Sequence, residues 1–380
     1  MRRIVSLFPA LIVAAAAALA GLPAVPAAAT TAAPALVSDR LIRIDAVPGT
    51  ILDASAARLL FLNSDSPPRL VVLNRGDRTT RTVPAVAGRT ASYGWLTPRG
   101  AAFITLGPVS TDRRLYDWTG GTSVADLGPL DFSQPRVRGA YLVWQASGGP
   151  VKRRNLVTGT TIQVAPGSAI EPDVDASGDV VYDSLLPTTY QNVNRYQIMR
   201  FHRGIRSPVT SPAPSVSDLH PIVDGANVVY TEGFYSVASF LSTGSTTVQL
   251  GVNEFGSTHF SPPTGDYDAA DGWVAYREGG FPESVNVRSP SGVITQIAVT
   301  DYNDQFVKVL AVGPNGQTAL SHQDHLYLGA PGQPLVDVVS GLGNWAARRD
   351  NRPLNRAIYI DGRWLFAIGG ELWTIHRCGA

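Results

Sequence analysis

Asp173, Asp175, Ser177 and Asp179 place oxygen donors on alternate residues, with Gly178 at the sixth place counted from Asp173. That is the opening spacing of a calcium loop, in which alternate side chains face one ion and the glycine permits a sharp turn. The twelfth place carries Ser184 where a bidentate Glu is needed. Equivalent turns elsewhere in the chain lack these acids, so the segment reads as an ordinary polar hairpin turn, with calcium as the alternative. His322-Gln323-Asp324-His325 gathers two imidazoles and a carboxylate in one turn. Zinc needs ligands that converge, and strand alternation sends His322 and His325 to opposite faces. The other imidazoles, His202, His220, His259 and His376, are scattered and read as structural or exposed. Cys378 is the single cysteine. A catalytic thiol needs a fixed base and a lowered pKa, and a chain end does not hold one in place. No cofactor or metal is assigned.

Catalytic signatures are missing from the sequence. There is no Gly-x-Ser-x-Gly elbow, no His-Glu-x-x-His helix and no glycine-rich phosphate loop that opens a helix. Recognition chemistry is better represented. The stretches Ser184 to Arg195, Gly233 to Tyr235, Asn253 to Gly265, Gly279 to Glu283 and Asn344 to Pro353 read as long loops. Aromatics mixed with Asn, Arg and Gly on such loops are what binding surfaces use. The expected ligand-binding set is Tyr190, Asn192, Asn194, Arg195, Phe234, Tyr235, Phe281 and Trp345.

What must position these residues is a repeat. A strand-turn-strand unit recurs eight times at intervals of roughly forty residues, the spacing of propeller blades. Its second strands read Leu59-Leu60-Phe61, Ala101-Ala102-Phe103, Leu142-Val143-Trp144, Val180-Val181-Tyr182, Val228-Val229-Tyr230, Val274-Ala275-Tyr276, Thr318-Ala319-Leu320 and Trp364-Leu365-Phe366. All but one carry an aromatic at the same place, as expected of a strand packed between neighbours on both faces. A second hairpin follows in each unit, with its turn at Gly76, Gly120, Gly159, Gly204, Gly244, Gly292 or Gly332. The eighth unit stops after its third strand, Glu371 to Ile375, while Leu41 to Val47 is a strand without a hairpin. Pairing the two closes the ring and removes exposed edges. The expected fold is all-β: a single propeller over residues 39–378 with eight four-stranded blades, seven being the alternative.

Pro172-Asp173-Val174-Asp175-Ala176-Ser177-Gly178-Asp179-Val180-Val181-Tyr182 resembles the WD40-like repeat of the TolB-type β-propeller family, a theme that recurs loosely at Pro221 to Tyr230 and Asp268 to Tyr276. The resemblance implies a propeller that mediates protein contacts in the cell envelope. TolB carries an additional N-terminal α/β domain for which no room is expected here, so TolB's own partners are not implied.

Residues 1–29 have the layout of a secretory signal peptide: Arg2 and Arg3, an apolar run from Ile4 to Leu22, and Ala27-Ala28-Ala29. Residues 30–38 read as a flexible lead. The expected location is outside the cell or in its envelope, with no membrane insertion after cleavage. The net charge of +1 without a basic run argues against nucleic acid. Arg outnumbers Lys 29 to 2, which fits a GC-rich bacterial source. The expected function is a monomeric, non-enzymatic propeller that binds a protein or envelope glycan through its long-loop face. The rival is a carbohydrate-active lyase or hydrolase working in the central channel, where the first strands offer Asp53, Arg136, Arg138, Asp173, Asp175 and Asp268.

Overall fold

The computed structural model of the chain describes residues 40–131, 134–233, 237–253, 267–278, 284–299, 307–322, 325–338, 357–360, 363–368 and 370–376. The expected signal peptide and lead, residues 1–38, lie outside them, as does Cys378. Eight four-stranded antiparallel sheets are arranged as a β-propeller. Seven are simple meanders in chain order. Their first strands are Gly49–Ala54, Thr90–Leu96, Arg136–Arg138, Ala169–Val174, Asp218–Asp224, Tyr267–Ala270 and Lys308–Val312, for blades 1 to 7. Each of these touches a first strand of an adjacent blade, so they form the inner wall of the ring.

Blade 8 is assembled from both ends of the chain. Ala357–Ile360, Arg363–Ile368 and Glu371–His376 are joined on the outside by Arg40–Ala46, which runs antiparallel to Glu371–His376 with a bulge at Ile44. The closing strand also reaches blade 1. Asp45 accepts from Arg75 Nε at 3.3 Å and Arg78 NH1 at 2.5 Å, and both arginines belong to blade 1.

The recurrent aromatic explains the ring. Eight apolar clusters lie one at each blade-blade interface, and each contains the equivalent second-strand residue of one blade, aromatic in seven of them, packed on its neighbour. Phe103 packs with Leu60, Leu70 and Val72; Trp144 with Ala102, Ile104 and Leu115; Tyr182 with Val143 and Val151. Tyr230, Tyr276 and Phe366 repeat the pattern, Leu320 fills the same place in blade 7, and Phe61 packs on Leu365 and Leu372 across the closure. All eight side chains are buried. Full burial of a side chain of this size contributes about 2–3 kcal/mol, so the wedge position dominates interblade cohesion. Six of the seven second-turn glycines take positive φ. In blade 1 Arg78 does so instead (φ 60), and Gly76 does not.

The stretch Ser184 to Arg195, read from sequence as a loop, is an extension of blade 4. Val180–Tyr190 and Val193–His202 form a long hairpin closed by Gln191 and Asn192, both at positive φ. Ladder pairing shifts between Leu185 and Thr189, around Pro187, which has no N–H to donate. The extension stands on the face that carries the second-to-third-strand and blade-to-blade connections. In blade 7, His322 and His325 are direct register partners on separate strands, Thr318–His322 and His325–Gly329. The alternation expected of a single strand therefore does not apply to them. Gln323 and Asp324 lie outside the described residues.

Candidate functional site

The channel acids serve the ring. Asp53 Oδ2 accepts from Leu96 N–H at 2.7 Å, Asp173 Oδ2 from Val223 N–H at 2.9 Å and Asp268 Oδ2 from Val312 N–H at 2.8 Å. Asp224 Oδ2 likewise takes Gly272 N–H at 2.7 Å. Asp53, Asp173 and Asp268 are thereby bonded to the inner strand of the next blade, and Asp224 to the turn that follows it. Asp175 Oδ1 closes its own turn through Ser177 N–H, Ser177 Oγ–H and Asp179 N–H, while Asp179 pairs with Arg200 and His202. The oxygens of the calcium-like spacing are thus directed to separate tasks.

One cation crosses the channel. Arg138 of blade 3 donates to Ala269 O at 3.3 Å and lies 3.7 Å from Asp268 Oδ1, on blade 6. Enclosure by protein disfavours its charge. The carboxylates of Asp173, Asp268, Asp224 and Asp175 outweigh that and hold the guanidinium above its ordinary range. Burial pushes Asp268 up, opposed by Arg138 and by the N–H groups of Val312 and Ala269.

A different polar group forms near the long-loop end of the channel, between blades 4 and 5. Its origin is a repeated backbone irregularity. Inner-strand pairing breaks between Ile170 and Asp173 in blade 4, and between Leu219 and Ile222 in blade 5. Each break contains a proline, Pro172 or Pro221, which cannot supply a ladder N–H. A bulge re-aims the side chain beside it. The residues preceding the prolines, Glu171 (φ 49) and His220 (φ 59), both take the left-handed conformation, uncommon for non-glycine residues. His220 Nδ1 and Glu171 Oε2 consequently meet in a hydrogen bond, and Tyr267 of blade 6 donates its hydroxyl to His220 O.

Asp183, from the second strand of blade 4, forms the floor. It is fully buried, and its Oδ2 accepts His220 N–H at 3.3 Å. Burial pushes its carboxyl well above the usual carboxylate range, and the charges of Glu171 and Asp218 push the same way. Glu171, Asp183 and His220 each offer one ligand atom, and these lie within 4.8 Å of one another. Burial also raises the hydroxyl pKa of Tyr196 beside the group. Its backbone N–H is fixed by Ser217 Oγ at 3.1 Å.

Asp218 sits next to this floor, directly opposite Glu232 in the blade 5 ladder. Burial first, and then Glu232, push its carboxyl up to about 7, against bonds from Thr210 and the charge of Arg195. A carboxyl raised in the fold binds a proton there more readily than in the unfolded chain. It stabilises the fold at acid pH, and that stability is lost as pH rises through about 7. In chelated buffer Asp218→Asn should therefore be more stable than the parent at pH 8, by about 1–2 kcal/mol, with the gain vanishing near pH 4. Urea denaturation at the two pH values checks this. An equal difference at both would contradict it.

Of the residues expected from sequence to bind ligand, Tyr190, Asn192 and Asn194 lie at the tip of the blade 4 hairpin, the asparagines exposed and Tyr190 half-buried. Arg195 is 6% exposed and turned inward. It donates to Thr188 Oγ1, Val216 O, Pro212 O and Ala213 O, fastening the extension to the blade 4–5 connection. Phe234, Tyr235, Phe281 and Trp345 lie outside the described residues. Glu171, Asp183, Tyr196, Asp218 and His220 were not singled out as a set by sequence reasoning. The signal available was Glu171-Pro172 and His220-Pro221 at the same place in consecutive repeats.

No model of a known protein family matches the chain, and no curated protein matches it. Among solved structures it is similar to dipeptidyl peptidase 4 from Porphyromonas gingivalis, at 11% identity and a TM-score of 0.53, over 78% of this chain and 53% of the peptidase. It is also similar to the β-propeller domain of the trilobed protease from Pyrococcus furiosus, at 10% identity and a TM-score of 0.46, over 78% and 97% of the two chains. A TolB candidate from Agrobacterium tumefaciens gives 15%, 0.33, 57% and 88% for the same quantities. The chain spans about half the length of the peptidase. The likeness to the peptidase shows the propeller fold and nothing finer.

Proposed function

We propose that the protein is a secreted bacterial β-propeller, monomeric and non-enzymatic, that binds a protein or cell-envelope glycan through the long-loop face over blades 4 and 5. The observation that carries this reading is the conjunction on one face of a protruding hairpin and a strained polar group. The hairpin is held upright by Arg195 and presents Tyr190, Asn192 and Asn194. The polar group joins Glu171, Asp183 and His220 near its foot. Rigid presentation of an aromatic and amides beside a charged recess suits recognition of hydroxyl-rich or polar peptide surfaces.

The rival reading, a lyase or hydrolase in the channel, is disfavoured because Asp53, Asp173 and Asp268 are committed to interblade bonds. Binding of the purified protein to envelope glycan and to envelope protein fractions tests the proposal. The variant Tyr190→Ala/Asn194→Ala, which leaves Asn192 at its positive φ, is expected to keep a cooperative melting transition and to bind at least about tenfold more weakly. Undiminished binding overturns the assignment of this face. New reducing ends released from the glycan overturn the non-enzymatic reading.

A further inference from the structure

We infer that Glu171, Asp183 and His220 form a divalent-cation site at the long-loop end of the channel. The inference goes beyond the binding role and does not depend on it.

Charge pairing sets this group apart from the other enclosed acids. Asp45 is paired with Arg75 and Arg78, Asp117 with Arg154 at 2.8 Å, and Asp179 with Arg200 at 2.5 Å. Glu171 and Asp183 have no such arginine or lysine among the described residues, and His220 is the one ion-pair partner of Glu171. Glu171 and Asp183 therefore share a recess in which neither is paired with an arginine or lysine of the described residues.

Asp183 supplies a second, independent indication. Its side chain is completely buried, yet Oδ1 has no hydrogen-bond partner among the described residues. An unsatisfied buried oxygen costs about 1–3 kcal/mol, and a metal–oxygen bond would satisfy it. The fold instead keeps its carboxylate within 4.8 Å of the ligand atoms of Glu171 and His220.

The donor set and its setting indicate the class of ion. Two carboxylate oxygens and one imidazole nitrogen suit a first-row divalent ion such as Mn²⁺ or Zn²⁺ better than the all-oxygen shell of Ca²⁺. The three donors come from three strands on two blades, so the site exists only in the folded ring and loading should stabilise it. Glu171 and His220 remain 23% and 15% exposed while Asp183 forms the floor. The ion would be enclosed below and open toward the long-loop face, where a hydroxyl or carboxylate of a ligand could complete its shell.

Titration of the metal-free protein with MnCl₂, followed by electron paramagnetic resonance and by thermal melting, tests the inference. One saturable Mn²⁺ per chain and a raised melting temperature are expected. Glu171→Gln, which preserves size at a partly exposed position, should weaken binding at least about tenfold. Asp183→Asn should do the same, while its melting temperature in EDTA stays near that of the parent, because Asn keeps the size and an oxygen to accept His220 N–H. A control at the remote exposed Asp126→Asn should bind as the parent does. The inference is overturned if the parent shows no saturable uptake of Mn²⁺ or Zn²⁺ up to millimolar concentration. It is also overturned if binding survives Glu171→Gln unchanged. Loss of glycan or protein binding on hairpin-tip substitution, with Mn²⁺ uptake intact, would separate the two roles.

Discussion

A chain that begins at Pro48 is expected to lose its cooperative fold. Removing Arg40–Ala46 strips the outer strand from blade 8 and leaves Glu371–His376 as an open edge. Unpaired edges of this kind invite intermolecular pairing. The loss extends beyond one ladder. Ile44 and Val47 pack on the cluster that joins blades 8 and 1, with Ile51, Phe61, Leu365 and Leu372 at its centre. Asp45 is the partner of Arg75 and Arg78 on blade 1, so those two cations lose their acid. Val47 N–H also bonds Gly370 O at 2.8 Å. Strand, apolar contact and ion pair therefore fail together at the one interface formed by the two ends of the chain. Size-exclusion chromatography and thermal melting should show aggregate without a sharp transition. A monomer that melts with the parent would refute closure by this strand.

Arg138→Met is expected to cost about 3 kcal/mol at neutral pH, within the range for breaking an enclosed ion pair and toward its low end because water reaches the channel. The side chains of Arg138 and Asp268 are 32% and 24% exposed. Methionine keeps most of the volume, so the loss is electrostatic: Asp173, Asp268, Asp224 and Asp175 are left without the cation whose field they share. The pH dependence follows. Without Arg138 the carboxyl of Asp268, already raised by burial, rises further. The variant thus loses most where Asp268 is ionised and recovers toward the parent as that carboxyl protonates toward acid pH. Adding Asp268→Asn to the variant should restore part of the loss. Denaturant midpoints across pH measure all three effects, and a variant as stable as the parent at pH 8 would contradict the role given to Arg138.

Architecture was legible because it is written in repetition. One aromatic per unit at a fixed place predicts a wedge between blades, and each of Phe61, Phe103, Trp144, Tyr182, Tyr230, Tyr276 and Phe366 occupies that wedge. The closing strand was legible from an incomplete eighth unit and an unpaired strand at the other end. The blade 4 extension was not, because it projects beyond the ring and is largely solvated on both sides. It therefore lacks the apolar alternation that marks a strand, and Pro187 interrupts it. Arg138 could be placed in the channel, but its reach to blade 6 depends on ring diameter, which no local pattern encodes.

The candidate site was hidden for a related reason. His220 reads as a lone imidazole, and Glu171 lies 49 positions from it in the chain. Only bulges at equivalent prolines in adjacent blades turn them toward each other, with Asp183 beneath. A bulge is a departure from the repeat, so the regularity that reveals the blades conceals it.

The most direct measurement is an anomalous difference map from crystals grown with MnCl₂, recorded above the manganese absorption edge. A peak is expected between blades 4 and 5, with oxygens of Glu171 and Asp183 and a nitrogen of His220 at about 2.2 Å. A map that is featureless there, with Asp183 Oδ1 hydrogen-bonded to a water or to an adjoining loop, would contradict a metal site in this propeller.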